Sequence, residues 1–262
     1  VVVTNLAGSG GVIANSKVKT ATPDGYTCLF THDGSFNITT AAKMQDYDYT
    51  VYDMGGIVAL SAGDAMFVRS DSPWKTMKDA LEASKKEPNK YRSSCNTGTT
   101  SHYAAIALNN AGGKFNIIDS RGDADRVVQL LGGQADIIPA TIAGVKDYIN
   151  TGKFRMLAVT TGERLKEYPD VPTMKECGVD CSYNKDYTVF FPKGTDLAIR
   201  EKFNAAAKKV IENNKDYQAE IMKAYGQSPY CKSIADSSKI WADSLAGVMK
   251  YADQLQGKAT KK

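Results

Sequence analysis

The sequence predicts an α/β protein of two lobes, and three observations carry that expectation. At 262 residues the chain is long enough for two separate cores. Short apolar runs alternate with helix-period segments from residue 65 to 160, the pattern of a mostly parallel sheet covered by helices on both faces. Two amphipathic helices close the chain, the first with Ile199, Phe203, Ala207, Val210 and Ile211 on one stripe, the second with Ile240, Trp241, Leu245, Val248, Met249, Ala252 and Leu255. Stripes of this kind face a core and carry no ligand.

Residues 1–5 (Val-Val-Val-Thr-Asn) read as a strand, Gly8-Ser9-Gly10-Gly11 as a glycine-rich entry to a helix over 12–20, and Pro23-Asp24-Gly25 as a turn before a strand at 26–30. A strand at 65–69 precedes Ser72-Pro73 and a helix at 76–85 capped by Thr76. Pro88-Asn89 ends that helix before a strand at 91–95. A helix over 103–110, a strand at 115–118 and a helix over 123–131 follow, the last stopped by Gly132-Gly133. Strands are expected at 135–138, 156–160 and 187–191, with a short helix at 145–150. The tail 257–262 is polar and basic and is expected to lack ordered structure.

Composition excludes several classes of function. Hydrophobic residues make up 42% and charged residues 24%, as in an ordinary globular protein. The net charge of +4, from 33 basic and 29 acidic residues, is spread along the chain, so no basic face points to nucleic acid. A small basic excess suits an anionic small-molecule ligand. No stretch approaches the apolar length of a membrane span, and no signal peptide is present, which leaves a cytoplasmic protein or a mature exported one.

Residues 93–102, Ser-Ser-Cys-Asn-Thr-Gly-Thr-Thr-Ser-His, lie between a strand and a helix and make an anion cradle. Helix N-terminal N–H groups are unpaired, the dipole favours negative charge there, and hydroxyls add donors without bulk. The plainer reading is that Thr100 or Ser101 caps the helix. His102 could serve as a base for Ser101 or Cys95, yet sequence neighbours rarely share the geometry of a dyad, no G-x-S-x-G elbow is present, and no enzymatic activity is expected. Gly8-Ser9-Gly10-Gly11 lacks the spacing of a nucleotide loop, so no cofactor is expected.

Five cysteines stand at 28, 95, 177, 181 and 231, and the only histidines are His32 and His102. Cys177-Gly-Val-Asp-Cys181 has no second ligand pair nearby, so no metal is expected. A local disulfide between Cys177 and Cys181 fits the glycine-containing turn, and two reduced thiols fit as well.

Read in order, these segments resemble the extracytoplasmic solute receptors of tripartite tricarboxylate transporters, the Bug family. Residues 1–11 are similar to that family's VVVeNrpGaGG entry, Pro23-Asp24-Gly25-Tyr26-Thr27 to its PDGYT strand, and Gly98-Thr99-Thr100-Ser101-His102 to its GxGSssH loop. Leu130-Leu131-Gly132-Gly133-Gln134-Ala135-Asp136, the segment from Gly152 to Thr161, Pro169-Asp170-Val171-Pro172-Thr173 and Pro192-Lys193-Gly194-Thr195 match its later motifs. Each is weak alone. Their shared order over most of the chain makes the resemblance specific.

The resemblance implies a two-lobed periplasmic-binding-protein fold of type II, with mixed sheets flanked by helices and a ligand cleft between the lobes. The first lobe is expected from 1–70 and 186–262, the second from 71–185, and the family's first strand and glycine-rich loop would precede Val1. By position, the ligand-binding residues implied are His32, Asp33, Gly34 and Ser35, then Thr97, Gly98, Thr99, Thr100, Ser101 and His102, then Arg121, Gly122, Thr141 and Asp186. Arg121 suits a bidentate carboxylate contact, or else is exposed and paired with Asp119 or Asp123. Asp33 puts a carboxylate into a loop that usually meets an anion, and Asp186 stands where the family often has an aromatic residue. If they face the ligand, an amino-bearing acid is implied; otherwise they point to solvent or pair with Lys185 or Arg121. The implied function is capture of a small carboxylate or amino-bearing acid by a monomeric periplasmic protein, its leader removed, for delivery to membrane permease subunits. The alternative is a ligand-sensing co-receptor for a membrane signalling protein.

Overall fold

In the computed structural model, which describes residues 1–6, 8–61, 63–225 and 227–257, the chain divides into two units, Val1–Ser61 with Lys185–Lys262, and Ala62–Asn184. The first begins with helix α1 (Val12–Lys19), strand β1 (Leu29–His32), helix α2 (Asp33–Ala41) and strand β2 (Tyr52–Leu60). The second runs through β3 (Asp64–Arg69), α3 (Met77–Lys86), β4 (Arg92–Cys95), α4 (Thr100–Asn110) and β5 (Asn116–Asp119). It continues with α5 (Asp123–Leu131), β6 (Ile138–Thr141), α6 (Ile142–Asn150) and β7 (Phe154–Val159). The chain returns to the first unit through β8 (Asp186–Pro192), α7 (Leu197–Asn213), α8 (Lys215–Tyr225), α9 (Ile234–Met249) and α10 (Ala252–Leu255).

The first unit is built on a three-stranded sheet of order β1-β8-β2, antiparallel throughout, with Leu29 opposite Phe190 and Ile57 opposite Thr188. Its core is aromatic. Trp241 of α9 is fully buried, with edge-on ring contacts to Phe190 at 4.6 Å and Phe36 at 5.7 Å. Such contacts add roughly 0.5–1.5 kcal/mol each beyond the burial of area.

The second unit has a sheet of order β6-β3-β7, antiparallel, and a parallel pair β4-β5. Phe67 of β3, Leu130 of α5, Ile138 of β6 and Phe154 of β7 meet in its core. Helix α3 starts at a complete capping box: the Thr76 hydroxyl accepts the Asp79 N–H at 3.2 Å, and the Asp79 carboxylate accepts the Thr76 N–H at 2.9 Å. The α5 helix ends where Gly133 takes φ +70°, a left-handed conformation that suits glycine.

Several expectations are corrected. The unit boundary falls at 61/62 rather than 70/71, because β3 pairs with β6 and β7, and the return crossing lies at 184/185. The three-stranded sheets are antiparallel rather than parallel: alternation along the chain does not choose pairing partners, and β8 enters between β1 and β2 from far away in sequence. Residues 1–5 form no strand, and Val1 to Val3 are exposed, since a strand needs a ladder partner. On α7 only Ile211 is buried, while Val210 is 46% exposed; Asn204 anchors that helix instead, donating to the carbonyls of Gly55 and Lys232 at 3.0 Å. Helices α2 and α8 and strand β2 had no counterpart in the sequence reading. Residues 258–262 of the tail lie outside the described residues.

Candidate functional site

The residues singled out from sequence fall into two groups, one in each unit. In the second unit, Asn96 to Thr99 form the turn between β4 and α4, and Thr100 to His102 open the helix. Gly98 adopts φ +75°, which lets the chain reverse into the helix. Ser101 does not cap the helix conventionally: its Oγ accepts the Asn96 N–H at 2.8 Å and lies 2.8 Å from the Thr99 hydroxyl, which donates to the Asn96 carbonyl at 2.7 Å. Thr97 donates its N–H and hydroxyl to Asp119 at 3.2 and 2.9 Å, and His102 Nδ1 accepts the Gly98 N–H at 3.3 Å.

These bonds rigidify the loop. The N–H groups of Thr100, Ser101 and His102, in the first turn of α4, have no acceptor among the described residues. The Thr100 side chain is buried beside them. Three adjacent N–H donors at the end of a helix dipole are the arrangement that holds a carboxylate. Burial lowers the His102 pKa, opposed by the Asp119 charge, and the ring shows no hydrogen bond to Ser101, so no dyad forms.

Arg121, Gly122 and Thr141 sit on adjoining elements with their groups differently committed. The Arg121 side chain is 93% exposed and its Nε stands 4.0 Å from Asp125, rather than pairing with Asp119 or Asp123. Gly122 precedes α5 at its N-cap position. The Thr141 N–H and hydroxyl donate to Asp123 Oδ2 at 3.1 and 2.7 Å, which occupies them within the unit. Asp123 also pairs with Arg126, a buried guanidinium that donates to the Pro139 carbonyl at 2.8 Å. Sequence reasoning passed over Arg126, because only the returning strand β6 buries it.

In the first unit, His32, Asp33, Gly34 and Ser35 are the start of α2 rather than an open loop. His32 Nδ1 accepts the Ser35 N–H at 3.1 Å, and the ring stands edge-on to Tyr187 at 5.4 Å. Desolvation, with the Lys185 charge, pushes the His32 pKa down to about 3, so the ring is neutral at pH 7. The Ser35 hydroxyl donates to the Gly10 carbonyl at 2.8 Å.

Asp33 and Asp186 neither point to solvent nor pair with Lys185 or Arg121; both are 3% exposed. Asp33 Oδ1 accepts the Asp186 N–H at 2.9 Å and Oδ2 accepts the Ser244 hydroxyl at 2.6 Å. Burial raises the Asp33 pKa, opposed by these bonds and by its own and the Gly34 N–H. Burial and then the Asp33 charge push Asp186 up to about 7, opposed by the Tyr230 hydroxyl and the Lys232 ammonium. Ser244 and Tyr230 carry no local signal of this role, being more than forty residues away along the chain.

The pairing considered for Cys177 and Cys181 is not formed. Both are free thiols, Cys181 buried in the core and Cys177 half-buried in the turn that follows Thr173, with both pKa values raised by desolvation. The intervening Gly178 takes φ +79° and the Val179 and Cys181 backbone bonds turn the second thiol inward. Among the described residues no group of His, Cys, Asp and Glu could hold a metal ion, and no helix is long and apolar enough to cross a membrane.

A two-unit α/β chain with unpaired N–H groups at the start of α4 fits a receptor for small solutes. Residues 1–254 match the model of the tripartite tricarboxylate transporter family receptor, and the chain belongs to that family. It is 30% identical over 248 residues to the UPF0065 protein in the gbd 5′ region of Cupriavidus necator, covering 94% of this chain and 74% of that one. Among solved structures it is similar to a TctC solute-binding protein from Polaromonas, at 26% identity and a TM-score of 0.74, covering 94% of this chain and 86% of that one. The fold is shared with two Rhodopseudomonas palustris proteins, each at 20% identity. Rpa4515, solved with adipate, has a TM-score of 0.80, covering 98% of this chain and 87% of its own. MatC, solved with malate, has a TM-score of 0.76, covering 95% and 85%.

Proposed function

We propose that the chain is a periplasmic receptor that captures a small carboxylate-bearing organic acid and hands it to the membrane permease of a tripartite tricarboxylate-type transporter, without performing chemistry on it. The observation that carries this reading is the set of unpaired N–H groups of Thr100, Ser101 and His102 at the start of α4, where the Thr100 hydroxyl makes no hydrogen bond within the described residues. A ligand carboxylate there gains charge-assisted hydrogen bonds and the dipole of α4 at once. The other second-unit residues act by position: Thr97, Thr99 and Ser101 hold the loop, and Gly98 gives it its turn. Membership of a receptor family supports the transport role, and the adipate and malate bound by two proteins of the same fold support a carboxylate ligand.

A thermal-shift screen of organic acids, amino acids, neutral sugars and simple cations tests the proposal, since a ligand that binds the folded state raises its melting temperature by mass action. Acids are expected to stabilise and sugars to have no effect. Stabilisation by sugars alone would refute the carboxylate reading.

A further inference from the structure

The chain's two histidines make the same kind of bond, one in each unit. His32 precedes α2, and its Nδ1 accepts the Ser35 N–H at 3.1 Å. His102 lies in the first turn of α4, and its Nδ1 accepts the Gly98 N–H at 3.3 Å. An imidazole that accepts at Nδ1 is neutral and carries its proton on Nε2. An imidazolium has no lone pair to offer, so a proton added to either ring breaks the bond.

At α4 this contact stands in for a capping-box side chain. Thr99 is the N-cap, which makes His102 the third helical residue, the position from which Glu or Gln ordinarily reaches back to a backbone N–H. Here the ring reaches Gly98, one residue further back, where the chain is buried and φ is +75°. The Gly98 N–H has no other acceptor among the described residues. The remaining bonds of the turn, among Asn96, Thr99 and Ser101 and from Thr97 to Asp119, do not involve the imidazole.

The two rings differ in how readily they take a proton. Desolvation, with the Lys185 charge, holds His32 at about 3 and keeps it neutral. Burial also lowers His102, but that ring is only half-buried, and the Asp119 charge at the end of β5 works in the other direction. Of the other elements packed on α4, β4 brings the Cys95 thiol, neutral because burial pushes its pKa up to about 12, and Arg92 at its opposite end, paired with Asp136. Strand β6 brings no titratable side chain. His102 is therefore the ring that acid reaches first.

We infer that His102 is a positioning residue of the α4 site: neutral, it holds the Gly98 turn that leads into the unpaired N–H groups, and protonated, it lets that turn go, so the receptor releases its acid as pH falls. The inference rests on the carboxylate-receptor reading above and adds a regulation to it. Charge alone would act the other way, since an imidazolium attracts a carboxylate. The lost bond decides the sign, because a buried N–H left without an acceptor costs more than a half-exposed charge contact gains. A cation at a helix N-terminus also opposes the dipole that favours the ligand.

The first test uses the wild type without ligand: nitrogen–proton correlation NMR of the His102 ring and the Gly98 amide between about pH 5 and pH 8. The expected result is an Nε2–H tautomer at the upper end and a Gly98 amide signal that follows the ring's titration, with the Ser35 amide beside His32 unmoved. An Nδ1–H tautomer, or a Gly98 amide indifferent to the ring, overturns the inference. His102→Gln supplies an acceptor that does not titrate and is expected to abolish the pH response of Gly98; the wild-type spectra decide even if this variant folds poorly. Calorimetry with malate, adipate and citrate then reads the site. From the upper to the lower end of the range, wild-type affinity is expected to fall about tenfold more than that of His102→Gln, a comparison in which the ligand's own titration cancels. Equal slopes, or wild-type binding that tightens in acid relative to His102→Gln, overturn the inference. If acids bind and Gly98 ignores the ring, the carboxylate reading stands and only this inference falls; if no acid binds, both fall.

Discussion

The indole Nε1 of Trp241 donates a hydrogen bond of 2.8 Å to the hydroxyl of Thr188, at the centre of the first unit where both side chains are fully buried. The Thr188 hydroxyl in turn donates a hydrogen bond to the Asp186 carbonyl at 2.9 Å, so α9 and β8 are joined by a polar relay inside an aromatic core. Thr188→Val keeps the shape but strands the indole N–H. It is expected to cost about 1–3 kcal/mol in urea unfolding, with Thr188→Ser costing less. Equal stability of wild type and Thr188→Val would show that the relay contributes nothing.

In the second unit the buried guanidinium of Arg126 depends on Asp123 for its charge partner. Asp123→Ala leaves that cation uncompensated and also removes the acceptor of Thr141, so a loss of about 3 kcal/mol is expected. Arg126→Met leaves behind only a half-exposed carboxylate and should destabilise less. The reverse order in denaturant midpoints would contradict this account.

Thr100 and Ser101 make separable predictions. Thr100→Ala removes a hydroxyl that has no fixed partner in the fold, so folding stability should hold while affinity for the carboxylate falls by about tenfold to a hundredfold, the equivalent of about 1.5–3 kcal/mol. Ser101→Ala strips the Asn96 N–H of its acceptor and is expected to lower stability by about 1 kcal/mol as well as affinity. Unchanged affinity in both variants would reduce the loop to a structural turn.

The pH dependence of stability has two opposed components. Asp186 holds its proton in the folded state up to about pH 7, whereas an ordinary carboxylate in the unfolded chain releases it near pH 4. Its contribution is therefore full at low pH and lost as pH rises toward 7. His32, neutral when folded, works the other way: the unfolded state gains its proton first as pH falls below about 6.5, and stability declines down to about pH 3. Melting temperatures of Asp186→Asn should thus rise relative to wild type between pH 4.5 and 8. A difference that stays constant over that range would mean Asp186 is not shifted.

The cysteines offer a chemical check on burial. Native alkylation is expected to label Cys28 and Cys177, with Cys95 and Cys181 reacting only after denaturation. Reductant should leave the melting temperature unchanged. A peptide carrying a Cys177–Cys181 disulfide would contradict the free thiols.

Elements with strong local signals were legible in the sequence. The α3 helix could be read from the Thr76 cap and the Pro88-Asn89 break after it, and α5 from its glycine stop, because capping and helix termination are settled within a few residues. The 93–102 segment was legible as a strand, a turn and a helix start for the same reason: unpaired N–H groups are a property of any helix start. Helix α2 was not, since Asp-Gly-Ser reads locally as a turn and becomes helical through the packing of Phe36 and Ile38 into the core. The α9 stripe gave Trp241 and Val248 correctly, whereas the α7 stripe overstated burial, because how much of an apolar face is covered depends on what lies opposite.

What the sequence by itself determined is the order of motifs, the starts and stops of the capped and glycine-ended helices such as α3 and α5, and the family they belong to. What only the tertiary structure decided is how distant segments meet. The antiparallel entry of β8 between β1 and β2 belongs to this second kind, as do the burial of Arg126 under β6 and the meeting of Asp33 with Asp186 and Ser244. The physical reason is that a hydrogen bond or a desolvated charge depends on which groups the folded backbone brings within about 3 Å of each other. For residues more than a hundred positions apart, no local propensity encodes that distance.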